Sequence, residues 1–201
     1  MSTIQYKGTK PTKEHLGALC APFPLLRVLR AFVLNLAAVA ALLLLGSHGT
    51  AAATTPKVHI AALSDLPIEE MRPYDETANA DAVVNGAFAR ARKSHKRVLI
   101  DLGGNWCGDC IILDNVMQLP EVKSFVDAHY EAVSVDVGRF DRNLEIPARF
   151  GITKRLEGVP SVLIATPDGR LVNAGHTAAL VDARSMTPQA IADWIAQWAA
   201  K

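Results

Sequence analysis

From Ala80 onward the apolar positions fall into regular patterns. Ala80, Val83, Val84, Ala87, Phe88 and Ala91 recur at helical spacing opposite Arg90, Arg92 and Lys93, which predicts an amphipathic helix. KRVLIDL follows, an apolar run of branched residues broken by a single aspartate, Asp101. Such a run suits a strand covered on both faces. IILDNVMQ predicts a helix that stops at Leu119–Pro120, where proline disfavours continuation. The same proline suits the first turn of another helix, EVKSFVDAH. YEAVSVDVG alternates, with Val133, Val135 and Val137 on one side, and predicts a strand. Residues 138–158 are polar and broken, with a short helix expected around 142–150. VPSVLIA is another apolar strand, and TPDGR turns it into LVNA to make a hairpin. Thr187 caps and Pro188 starts a last helix whose inner stripe, Ile191, Trp194, Ile195 and Trp198, reads as a core face.

Upstream, residues 54–74 contain prolines and lack clear periodicity, with VHIAAL the one candidate strand, and no internal repeat is visible. Strands alternating with helices, then a terminal hairpin, predict an α/β fold with a central mixed sheet and helices on both faces.

The 201 residues carry a formal net charge of +1 and are half apolar, a balance that fits neither a disordered tail nor a nucleic-acid-coating polycation. The charge is uneven. Lys7, Lys10, Lys13, Arg27 and Arg30 stand against Glu14 alone in residues 1–30, and the uncharged stretch AFVLNLAAVAALLLL follows at 31–45. A basic flank, a short apolar stretch and small residues at Ala51 and Ala53 form the pattern of an export signal. As a helix the stretch spans about 22 Å, short of the roughly 30 Å hydrocarbon core. We therefore expect a signal over 1–53 cleaved near Ala53, a periplasmic location, an extension over 54–79 and one domain over 80–201. The alternative is an anchor retained over residues 25–45, with the domain outside the cytoplasm; only then is the membrane a partner. Cys20 precedes the apolar stretch and is no lipid-attachment cysteine. Residues 54–201 hold 16 Lys and Arg against 19 Asp and Glu, so nothing there calls for nucleic acid.

Beyond residue 53 the only cysteines are Cys107 and Cys110, in GGNWCGDC, and in an exported protein an isolated pair can oxidise. The pair sits at the junction of a strand and a helix, where free N–H groups and the positive end of the helix dipole favour a thiolate at Cys107. The spacing lets a second sulfur resolve what the first attacks. A structural staple is the weaker reading, because so small a ring removes little loop entropy. Structural zinc wants four ligands, and no second cysteine pair or His-x₃₋₅-His is present. A soft metal such as Cu(I) needs fewer ligands and stays open as a rival; Met117, a helical turn or two from the cysteines, and His176 are the nearest candidates to join it, and neither sits at a telling spacing. His129 and His176 otherwise read as solvated or hydrogen-bonded residues. The glycines at 103–104 lack GxGxxG spacing, so no nucleotide cofactor is expected.

VLIDLGGNWCGDC, the later GVPSVLIATPDGRLV and the element order resemble the thioredoxin family over roughly residues 80–200. The resemblance implies the three-layer thioredoxin-like fold and a thiol–disulfide oxidoreductase whose only redox cofactor is its own dithiol. It implies that Cys107 attacks, Cys110 resolves, and Asp101 is a buried carboxylate moving protons to and from Cys110. Val159 and Pro160 match the family's cis-proline wall, which together with Trp106 would face the substrate. Its partners would be protein thiols and disulfides, and a redox protein that gives or takes electrons. The chain departs from the family in its inner dipeptide, Gly108–Asp109 rather than Gly-Pro. It also lacks a lysine on the 131–137 strand to pair with the carboxylate, and its 138–158 segment is longer. Asp109, two residues past Cys107, either opposes the thiolate and makes the pair more reducing, or is a solvated helix-start residue.

Overall fold

Strand β1, Arg97–Gly103, is buried along nearly its whole length, and the rest of the molecule is arranged to cover it. The computed structural model describes residues 54–67 and 72–199. Helix α1 (Ala80–Ser94) precedes β1; α2 (Gly108–Gln118), α3 (Pro120–His129), β2 (Tyr130–Asp136), α4 (Glu145–Ala148), β3 (Ser161–Ala165) and α5 (Pro188–Gln197) follow it. Among the described residues the sheet has three strands in the order β2–β1–β3, with β2 parallel and β3 antiparallel to β1. The expected mixed sheet is therefore present.

Successive side chains of a strand point to opposite faces, so β1 serves two cores. Leu99 joins Leu113 and Val116 of α2, Val122 and Phe125 of α3 and Ile191 and Ile195 of α5. Val98, Ile100 and Leu102 join Val84, Ala87 and Ala91 of α1, with Ile146 of α4 and Val133 and Val135 of β2. Three layers result, and the helix starts follow the sequence. Asn79 Oδ1 accepts from the Ala82 N–H at 2.9 Å, Thr187 Oγ1 accepts from the Ala190 N–H at 3.1 Å, and Pro120 and Pro188 occupy first-turn positions. Trp194 and Trp198 pack half-buried against the core of the α5 layer.

Three expectations change. Residues 58–62 form no strand; a 3₁₀ turn at Leu63–Asp65 follows them, and Gln189 of α5 ties the segment down through the Val58 N–H and the Pro56 carbonyl. Within the 54–79 stretch, Leu66 and Tyr74 are buried, one in each core. Val83 turns toward solvent rather than the core. The terminal hairpin shrinks to a single bridge, Ala165–Leu171. There the Asn173 side chain replaces the returning backbone, accepting from the Ile164 N–H at 2.9 Å and donating to the Val162 carbonyl at 2.8 Å. The expected export signal and the 31–45 apolar stretch lie outside the described residues. Among the described residues no helix is long and apolar enough to cross a membrane.

Candidate active site

Strand β1 ends at Gly103, and four residues later Cys107 caps α2. Its sulfur accepts from the Cys110 N–H at 3.2 Å, the position of an N-cap side chain, so the amides of the first helical turn point at it. Cys107 and Cys110 are joined as a disulfide, with Cα atoms 5.2 Å apart. Cys107 is 5% exposed and Cys110 fully enclosed, so the first residue of the pair lies nearer the surface. The Val159–Pro160 bond is cis, and the Val159 carbonyl oxygen lies 3.4 Å from the Cys107 sulfur. Val159, Pro160 and Cys107 thus form one wall.

Asp101 is fully buried on the same face of β1 as Gly103, two residues on. A methyl group placed on Gly103 would stand 2.9 Å from the Cys110 sulfur and 2.6 Å from Cζ of Tyr74, and closer still to the Tyr74 hydroxyl. Only a glycine lets these groups approach. The Tyr74 hydroxyl donates to Asp101 Oδ2 at 2.6 Å, while Asp101 Oδ1 has no partner. Burial pushes the Asp101 carboxyl up to about 7; the Tyr74 hydrogen bond pulls it down, and the neighbouring Asp114 adds to the rise. Burial likewise raises Asp114 above the usual carboxylate range.

Sequence reasoning missed Tyr74, which lies 27 residues before its partner in the aperiodic segment. A signal existed nonetheless: a buried carboxylate without a lysine needs some other donor. Asn105, inside the cysteine motif, fixes that segment from both sides. Its Oδ1 accepts from the Tyr74 N–H at 3.2 Å and its Nδ2 donates to the Tyr74 carbonyl at 2.8 Å.

Asp109 is neither a bare anion nor a solvated helix start. It is buried, and Arg184 grips it with the backbone N–H at 3.0 Å, with Nε at 2.9 and 3.1 Å and with Nη2 at 2.6 Å. The side-chain hydrogen bond to Arg184 holds the carboxyl below its ordinary range against the opposing effect of burial. The guanidinium also reaches within 3.4 Å of where a Gly108 side chain would begin. A cation therefore accompanies the anion two residues past Cys107. Sequence reasoning missed Arg184 as well, 75 residues away in a turn that carries no motif.

Trp106 is 43% exposed, the largest apolar surface next to the cysteines. Its Nε1 donates to the Gly138 carbonyl at 2.7 Å, the Arg139 guanidinium lies 4.6 Å over its ring, and Phe140 meets it edge-on at 6.2 Å. The long 138–158 segment thus builds the surface beside the site. Met117 lies two turns beyond Cys110 on α2, and His176 packs on Trp198 with ring centroids 5.5 Å apart. Among the described residues no group of three or more His, Cys, Asp or Glu side chains is arranged to hold a metal ion.

Residues 79–167 match the family described as thioredoxin-like. A thioredoxin of Alicyclobacillus acidocaldarius subsp. acidocaldarius is 35% identical over 65 residues, 32% of this chain and 57% of that one, so the chain matches little more than half of that relative. The crystal structure of a disulphide isomerase from Xylella fastidiosa Temecula1 is 37% identical, covers 62% of this chain and 95% of that one, and superposes with a TM-score of 0.58. With the WCGDC pair at the head of α2, the cis-proline beside it and the mixed sheet behind it, the chain belongs to the thioredoxin-like family.

Proposed function

We propose that the protein is an exported thiol–disulfide oxidoreductase that reduces disulfides of other proteins through Cys107 and Cys110. The observation that carries this reading is the placement of the pair, one sulfur capping α2 at the surface lip and the other enclosed behind it. The names of the two relatives, a thioredoxin and a disulphide isomerase, support it. Export rests on the pattern of residues 1–53.

In the reduced protein the amides of the first turn of α2 stabilise the Cys107 thiolate. It attacks one sulfur of a substrate disulfide, forming a mixed disulfide and releasing the other substrate sulfur as a thiolate. The exposed face of Trp106 and the Val159–Pro160 wall position the substrate chain. Asp101 takes the proton from Cys110, whose thiolate then attacks the Cys107 sulfur. The second substrate thiolate leaves, and the protein retains the electron-poor Cys107–Cys110 disulfide. A dithiol redox partner reverses that last state. No group beyond the two sulfurs carries the electrons.

Insulin reduction with dithiothreitol as donor tests the proposal. The wild-type chain accelerates precipitation of the insulin B chain, and Cys107→Ser and Cys110→Ser both lose the acceleration. A wild-type rate equal to that of dithiothreitol alone overturns it.

A further inference from the structure

A second ionisable side chain stands at the buried end of the cysteine pair. Tyr74 is 1% exposed; its hydroxyl lies within hydrogen-bonding distance of Asp101 and, with the Cys110 sulfur, crowds the point where a Gly103 side chain would begin. Burial, then the adjacent Asp101, pushes its phenol far above the ordinary range, so it stays protonated at any working pH. Asn105 already holds the Tyr74 backbone at both its N–H and its carbonyl, so tethering the 54–79 segment does not need the hydroxyl. A buried hydroxyl costs free energy unless paired, and phenylalanine would fill the same space without it.

We propose that Tyr74 relays the proton between Cys110 and Asp101 during resolution of the mixed disulfide, an inference that rests on the exchange reaction above. In the mixed disulfide the Cys110 thiol donates to the Tyr74 oxygen while Tyr74 donates to Asp101. One proton moves along each bond. Cys110 becomes a thiolate, Asp101 becomes neutral, and Tyr74 is a neutral phenol before and after. The Cys110 electron pair then forms the S–S bond to Cys107, and the substrate sulfur leaves with the pair from the bond that breaks.

The charges around this path are few. Asp114 of α2 faces Asp101, and Asp114 and Asp136 face Tyr74. Asp136, the last residue of β2, shares its charge with Arg142 at 3.2 Å. No cation stands against Asp101 itself among the described residues, so the phenol is its one donor. Removing that donor therefore disfavours the carboxylate, the form that accepts the proton.

Tyr74→Phe in the full chain tests the relay. Rapid-quench measurement of resolution, from a preformed mixed disulfide between Cys107 and a model peptide, gives the rate as a function of pH. The variant should resolve more slowly at pH 7, on the order of 100-fold. Its pH midpoint should lie above that of the wild type by about one unit or more. In the Asp101→Asn background the same substitution should change the rate little. An unchanged midpoint, or an equal slowing at every pH, overturns the relay. The carboxyl pKa of Asp101, read by ¹³C NMR in the oxidised protein, needs no substrate: it should rise in Tyr74→Phe, and an unmoved value overturns the coupling. If the wild type exchanges no disulfides, the functional reading fails while the NMR result still decides whether Tyr74 governs Asp101.

Discussion

Replacing Asp101 with asparagine removes a carboxyl that the fold holds neutral far above its ordinary range. The group is completely enclosed, one of its oxygens lacks any partner, and its pKa is pushed up from 3.8 to about 7. Below about pH 4 the carboxyl is protonated in both folded and unfolded chains and contributes no pH dependence. As pH rises from there, the unfolded chain releases the proton and the folded chain keeps it, so unfolding gains. That loss of stability accumulates until the folded group also ionises near pH 7, then stays constant. About three pH units at roughly 1.4 kcal/mol each place the penalty on the order of 4 kcal/mol. Asparagine keeps an acceptor for the Tyr74 hydroxyl but brings an amide that must find partners, a cost of about 1–3 kcal/mol independent of pH. The informative quantity is therefore the slope. Urea unfolding of the oxidised wild type and Asp101→Asn, at intervals from pH 4 to pH 8, should show the variant gaining on the wild type through that window and running parallel above it. Parallel profiles across the whole range would refute the buried, proton-holding carboxyl.

The Asp109–Arg184 pair should tune the cysteine potential in opposite directions from its two ends. Arg184→Gln leaves a buried anion near Cys107, disfavours the thiolate and should make the pair more reducing; Asp109→Asn leaves the cation over Gly108 and should make it more oxidising. Each pKa unit at Cys107 corresponds to about 30 mV, read by equilibration with glutathione buffers, and shifts of the same sign in both variants would contradict the pairing. Gly103→Ala drives a methyl against Tyr74 and the Cys110 sulfur and should cost about 1–3 kcal/mol in urea unfolding; an unchanged midpoint would mean the two do not meet there. Alkylation of the reduced protein at mildly acidic pH should label Cys107 before Cys110, and the reverse order would exchange their roles.

The layers of the fold were legible because β1 and β3 are runs of branched apolar residues and α1, α3 and α5 show one buried stripe each. The hairpin was not, because LVNA has the pattern of a strand while the Asn173 side chain takes the hydrogen bonds that the returning strand would make. The cysteine pair, Asp101 and Pro160 were legible because their spacing and neighbours carry the motif. Tyr74 and Arg184 were not. Each reaches its partner only through tertiary packing, from segments whose local pattern says nothing about which side chain turns inward. Asp109 shows the consequence: its proximity in sequence to Cys107 suggests an uncompensated anion, and the fold supplies a guanidinium from elsewhere.

The proposed function requires a covalent bond between Cys107 and a substrate sulfur, resolved by Cys110. The most direct measurement is mass spectrometry of the adduct formed when reduced Cys110→Ser meets a disulfide-bonded protein substrate. A stable mixed disulfide should be carried on Cys107, absent from Cys107→Ser and transient in the wild type. An adduct that fails to form with Cys110→Ser, or that forms on Cys110 in Cys107→Ser, would contradict it.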